Sequence, residues 1–180
     1  MFDTVSISGT PGTGKTDVSK ALVEKTGYKI LDVNEVVKNS EEIEFVKDEE
    51  RNTLSVDIGS MRKVLEEKVV DKTVLEGHLS HHHGSDLIIV LRCSPEKLEE
   101  RLKSRDWSEK KIRENVESEV IDVILQEAVN MHGDKVIEID TTGKNSDEVA
   151  KEIQEILEGK RELEDYRPGT VEWSEEYLYG

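Results

Sequence analysis

The chain has 180 residues, 41 of them Asp or Glu and 25 Lys or Arg, for a formal net charge of -16. That length suits one domain whose core buries about 70% of the unfolded chain's surface. The acidic balance disfavours sequence-blind binding to nucleic-acid phosphates and favours basic partners, although a salty cytoplasm would select the same surface. The single cysteine, Cys93, excludes an internal disulfide or a cysteine-based zinc cluster. Neither the opening MFDTVSISG nor the longest aliphatic run, LIIVL, has the make-up of an export signal or a membrane span. A cytoplasmic protein with no membrane association is expected.

TVSIS (Thr4–Ser8) reads as a first strand and runs directly into GTPGTGKT, Gly9 to Thr16. A helix is expected over Thr16–Lys25 and a strand over Tyr28–Val33. The acidic stretch Glu41–Asp57 fits neither period. A helix follows over Ser60–Val69, with Met61, Val64 and Leu65 on one side, then strands at Thr73–Glu76 and Leu87–Leu91. Pro95–Lys103 reads as a helix with Ser94 as N-cap and Pro95 at its first position. Ile112, Val116, Val120, Ile124 and Ala128 form one stripe, which predicts a single long helix over Ser108–Met131. A strand at Lys135–Ile139 and a helix at Asp147–Leu157 complete the alternation, and a polar tail with Trp173 and Tyr177 follows. Several strands are continuously apolar, as strands covered on both faces are. Strand–helix alternation at this spacing implies a parallel α/β sheet with helices on both faces.

Gly9, Gly14, Lys15 and Thr16 satisfy the pattern G-x-x-x-x-G-K-[ST] between a strand and a helix. The chemistry needs each part. Glycines let successive N–H groups converge on phosphate oxygens, and the following helix directs its positive end there. Lys15 is expected on the β- and γ-phosphates and the Thr16 hydroxyl on Mg²⁺, so the loop reads as a nucleoside triphosphate site. Such sites also use an acid at a nearby strand end. Glu76, closing an apolar run before Gly77, is the favoured metal-shell residue, and Asp32 the alternative, assigned to the acceptor side. A transferred phosphoryl group needs a positive clamp. ERLKSRDWSEKK (Glu100–Lys111) supplies basic residues, with Arg101 and Arg105 four apart and expected on one helical face. HLSHHH holds four of the five histidines. Imidazoles so clustered can bind Zn²⁺ or Ni²⁺, but the spacing matches no defined zinc site, and a polar loop over the phosphates is expected. No N/T-K-x-D element supports guanine recognition.

Taken in order, GTPGTGKT, ILDVNEVVK, DEERNTLSVD, EGHLSHHH and LRCSPEKLEERLKSRDWSEKKIRENVESE resemble the adenylate kinase isoenzyme six family over about Met1 to Leu157. The resemblance implies a P-loop NTPase fold, adenylate-kinase-like, with a five-stranded parallel sheet in a kinase domain over 1–157, an NMP-binding segment at about 33–54, a short lid at about 104–114 and a C-terminal tail over 158–180. It implies Mg-ATP-dependent phosphorylation of AMP, ATP hydrolysis, a role in small ribosomal subunit maturation and a basic small-subunit ribosomal protein as partner. Carried over residue by residue, the ATP loop maps to Gly9, Gly12, Thr13, Gly14, Lys15 and Thr16, and Asp17 stands where the family often has a hydroxyl. Arg105 takes the position of the lid arginine, followed by Asp106-Trp107 where the family has Gly-Tyr. Lys38 falls where an acceptor-binding arginine is expected, and Arg51 is a second acceptor candidate beside Asp32. Glu76 and His78 match an acid-x-His element, with His78 orienting water or a phosphate oxygen. Ordinary adenylate kinases carry Asp-Gly-x-Pro-Arg there, which this chain lacks. Lys15, Glu76, His78 and Arg105 are the expected catalytic set, and Thr16 and Glu76 the expected metal ligands.

Overall fold

The computed structural model describes residues 2–48 and 53–173. Among these, the strands are β1 (Thr4–Ser8), β2 (Lys29–Asp32), β3 (Phe45–Asp48), β4 (Thr53–Val56), β5 (Thr73–Glu76), β6 (Leu87–Arg92) and β7 (Val136–Asp140). The helices are α1 (Lys15–Thr26), α2 (Val33–Asn39), α3 (Ile58–Lys68), α4 (Pro95–Lys103), α5 (Glu109–Val120), α6 (Val123–His132) and α7 (Ser146–Leu157). Five strands form a parallel sheet in the order β2-β5-β1-β6-β7, and β3 and β4 pair as a separate antiparallel hairpin within the acidic stretch. The fold is an adenylate-kinase-like P-loop fold.

β6 shows why continuous apolar runs mark this architecture. Leu87, Ile89 and Leu91 join Val18, Leu22, Ala150 and Ile153 in one core under α1 and α7. Ile88 and Val90 point the other way, into a cluster with Leu125, Ala128 and Val136 under α6. Alternate residues thus face opposite layers, and both layers are apolar. The register brings Asp32 opposite Glu76 and Ile7 opposite Glu76, so the carboxyl ends of β1, β2 and β5 share one edge. The loop after β1 therefore opens at the centre of the sheet's carboxyl edge, where open α/β sheets bind ligands.

Two expected elements are corrected. The strand expected to reach Val33 stops at Asp32, whose carboxylate accepts from Glu35 N at 3.0 Å and caps α2. The long helix expected over Ser108–Met131 is two helices, broken where Asp122 takes φ 57° and Ile121 is 59% exposed. The break aims the Asp122 carboxylate at Arg92. Arg92, 1% exposed, also donates to Glu119 Oε1 at 2.8 Å and Glu138 Oε2 at 2.7 Å. Burial works against this guanidinium's charge, but Glu119, Asp122 and Glu138 outweigh it and raise its pKa.

The network reaches both the phosphate loop and the tail. Glu119 Oε2 accepts from Thr10 Oγ1 at 2.5 Å, and Glu138 Oε1 accepts from the backbone N–H groups of Gly169, Thr170 and Val171. The described tail is therefore docked rather than loose; Tyr166 Oη donates to Glu152 Oε1 at 2.9 Å. Replacing Arg92 by Met would leave buried carboxylates without their cation. Loss of one partner of a buried ion pair costs about 3–5 kcal/mol, which lowers Tm by about 6–20 °C in a chain of this size. Thermal unfolding followed by circular dichroism checks this; a shift below about 2 °C would show that the network contributes little.

Candidate active site

Two glycines of the loop have no tolerable substitute. A Cβ on Gly9, at φ 137°, would lie 2.4 Å from the Leu91 carbonyl oxygen. One on Gly12, at φ 100°, would lie 2.8 Å from Leu98 Cδ1. Backbone conformation and close approach thus both demand glycine. Thr13 Oγ1 donates to Thr10 O at 2.9 Å and closes the turn. Gly14, itself left-handed, starts α1, so the helix's unpaired N–H groups and positive dipole end face the cleft.

Lys15 is buried, and its ammonium donates to Gly9 O at 2.8 Å and Thr10 O at 3.0 Å across the loop. Burial pulls its pKa down to about 8; Glu76 and Glu119 oppose the shift and Arg105 adds to it. Thr16 Oγ1 lies 3.3 Å from both Glu76 oxygens. Burial and the neighbouring Asp32 carboxyl raise the Glu76 pKa, while Lys15 and Thr16 pull it back in part. A hydroxyl facing a carboxylate at a helix N-terminus is an all-oxygen donor set, which suits Mg²⁺. His78 stands at the rim, and desolvation together with the Lys15 charge lowers its pKa from the usual imidazole range.

The cleft has a volume of about 440 Å³ and brings together Gly12, Gly14, Lys15, Thr16, Asp17, Glu76, His78 and Arg105. It also exposes Asn34, Lys111 and Asn115. Lys111 belongs to the basic run noted in the sequence, whereas nothing in the sequence singled out Asn34 or Asn115. Trp107 lines the same cleft between two cations, with Lys111 Nζ 3.7 Å and the Arg105 guanidinium carbon 5.4 Å from its ring centroid. Such contacts hold a cation over the aromatic face. Arg105 lies beyond the end of α4 at Lys103, so it does not share a helical face with Arg101 as its spacing predicts. Arg101 instead donates to Thr141 O at 3.1 Å and Gly12 O at 3.4 Å, tying the loop after β7 to the phosphate loop.

A second cleft of about 360 Å³ opens on the other side of the loop, lined by Thr13, Val18, Arg101, Thr141, Lys144, Asn145 and others. Gly12, Gly14, Asp17 and Arg105 line both clefts. The acceptor candidates are less concentrated. Asp32 caps α2, and its carboxyl raises the Glu76 pKa. Lys38 stands 74% exposed on α2, 3.8 Å from Glu35, and lines neither cleft. Arg51 lies outside the described residues.

A family profile described as an AAA domain matches residues 5–122. The chain is 44% identical to a protein of Thermococcus onnurineus called "Putative adenylate kinase", over 96% of this chain and 92% of that one. Proteins of the same name from Methanosarcina barkeri (42%; 94% and 96% covered) and Methanocaldococcus jannaschii (40%; 97% and 94% covered) are similarly close. Among solved structures, the shikimate kinase of Acinetobacter baumannii in complex with shikimate superposes with a TM-score of 0.60 at 17% identity, over 89% of this chain and 96% of that chain. That likeness is one of fold. None of the described helices is long and apolar enough to cross a membrane. A loop built for phosphates at the carboxyl edge of a five-stranded parallel sheet, and relatives above 40% identity along nearly the whole chain, place it together: the chain belongs to the AAA-domain family and, within it, to the archaeal adenylate-kinase-named group.

Proposed function

We propose that the protein is an ATP-dependent nucleoside monophosphate kinase that moves the γ-phosphoryl group of ATP to AMP, giving two ADP. One observation carries this reading: two clefts flank a single phosphate loop and share Arg105 and the loop glycines. That is the layout needed for two nucleotides meeting at their phosphates. The donor base and ribose would occupy the side lined by Arg101, Thr141 and Lys144. The acceptor would enter the side lined by Asn34, His78 and Lys111.

Phosphoryl transfer of this kind asks the protein for position and charge rather than covalent chemistry. The loop N–H groups would hold the donor phosphates, and Lys15 would exchange its two carbonyl partners for phosphate oxygens. Arg105 would close over the transferring group, with segment 104–114 serving as lid. Thr16 and Glu76 would hold Mg²⁺, which when bound neutralises charge between the phosphates. Asp32 would support Glu76, and Lys38 and Arg51 would engage the acceptor.

The family resemblance also implies ATP hydrolysis and a role in small-subunit rRNA maturation through a basic ribosomal protein. The net charge of -16 and the placement of His78 in one cleft with Lys15 support that second reading. A neutral imidazole can accept a hydrogen bond from water, whereas AMP brings its own nucleophilic oxygen. His78→Ala is therefore expected to cut ATP hydrolysis without acceptor far more than AMP phosphorylation. Measuring both rates on one preparation decides it; equal loss would sink the water-orienting role.

A further inference from the structure

The histidine turn after β5 carries more than His78. His81 and His82 lie on the short 3₁₀ turn Ser80–His82, and Glu127 on α6 packs beside them. One ligand atom from each of the three lies within 4.8 Å of the other two. His81 Nε2 is 3.2 Å from Glu127 Oε2. Two ligands each about 2.0 Å from one tetrahedral zinc ion would stand about 3.3 Å apart.

The surroundings fit a ligand set as well. The other nitrogen of His81, Nδ1, is 2.9 Å from Ser8 Oγ, the kind of outer partner that fixes the ring of a metal-bound histidine. His132 Nε2 approaches the His81 carbonyl at 2.7 Å and steadies the same turn. His82 Nδ1 is buried with no hydrogen-bond partner among the described residues, a state that costs stability unless something answers it. Glu127 is 52% exposed and leaves a way in from solvent. Two imidazoles with one carboxylate suit zinc-like ions and disfavour Mg²⁺ or Ca²⁺, which prefer oxygen.

We propose that His81, His82 and Glu127 form a binding site for one divalent transition-metal ion of the zinc class, with water completing a four-coordinate shell, separate from the nucleotide cleft. The site borders the chemistry without belonging to it. Ser8 Oγ contacts His81 Nδ1 and donates to the His78 carbonyl at 3.2 Å, and Ser8 precedes Gly9 of the phosphate loop. An ion on His81 stiffens the turn that presents His78.

The test uses metal-free, full-length protein with Mg²⁺ in excess, so that oxygen-lined sites are taken. Zn²⁺ is titrated against a chromogenic chelator, and Co²⁺ is added separately to read coordination from its visible absorption. The expected result is one equivalent bound, a four-coordinate Co²⁺ spectrum, and a Tm raised by about 5–10 °C when free Zn²⁺ is 100-fold above Kd. His82→Ala and Glu127→Gln should each weaken binding at least about 10-fold, the lower end of what losing even an outer partner costs. Circular dichroism confirms folding, and Glu127→Gln, on an exposed side chain, decides the matter should His82→Ala not fold. Several weak equivalents, undiminished binding in Glu127→Gln, or no rise in Tm would overturn the site.

Discussion

Arg105→Ala is expected to lower kcat by about 10³–10⁵-fold, the range over which a transition-state arginine acts in phosphoryl transfer. The reason is positional. Arg105 lines both clefts, lies just past the end of α4, and has its guanidinium carbon over the Trp107 ring, 5.4 Å from its centroid, with no carboxylate ion pair among the described residues. Arg101 provides the contrast. Its guanidinium already donates to Thr141 and to the Gly12 carbonyl, so Arg101→Ala should loosen the loop and raise KM more than it lowers kcat. Single-turnover kinetics separate the two effects, since the transfer step is then read without product release. Wild-type turnover in Arg105→Ala would remove the lid assignment.

Lys15→Ala should be the second large loss, about 10³-fold in turnover, as when a preorganised donor to developing charge is deleted. The fold should survive. Lys15 is a buried ammonium whose pKa falls from 10.5 to about 8, so the folded state carries its charge at a cost. The sign follows from proton counting. Between pH 8 and 10.5 the unfolded chain binds the Lys15 proton more than the folded chain does, so wild-type stability should gain as pH rises through that window. The variant should lack that gain. At pH 7, where wild type bears the full cost of the buried charge, its Tm should equal or exceed wild type's. Thermal scans at pH 7 and pH 9 on both proteins check the stability side. A Tm well below wild type's at pH 7 would mean that Lys15 supports the loop through its carbonyl contacts more than burial penalises it.

Much of this could be read from the residues alone, and the exceptions share a cause. The strand β6 announced itself because LIIVL is apolar on both faces, and the phosphate loop because its glycines, lysine and threonine sit between strand and helix. The turn at Asp122 did not, because the apolar stripe continues past it and the reason for the break, Arg92, lies 30 residues away in sequence. Helix α2 carried a usable signal, Asp32 with Glu35 three residues on, but it was hidden by the apolar run leading into it. The contact of Arg101 with Thr141 spans 40 residues and has no local trace. Asn34 and Asn115 reach the cleft only because α2 and α5 end up on the same edge of the sheet. Local chemistry was legible; pairings across the sheet edge were not.

Transfer between two nucleotides has a direct test. Purified protein with Mg²⁺ and ATP is assayed for ADP and inorganic phosphate, with AMP, with each other nucleoside monophosphate, and with no acceptor. AMP is expected to raise ADP formation well above the acceptor-free rate, with two ADP formed per ATP consumed and little phosphate released. Equal ATP consumption with and without AMP, with phosphate as the product, would contradict that transfer.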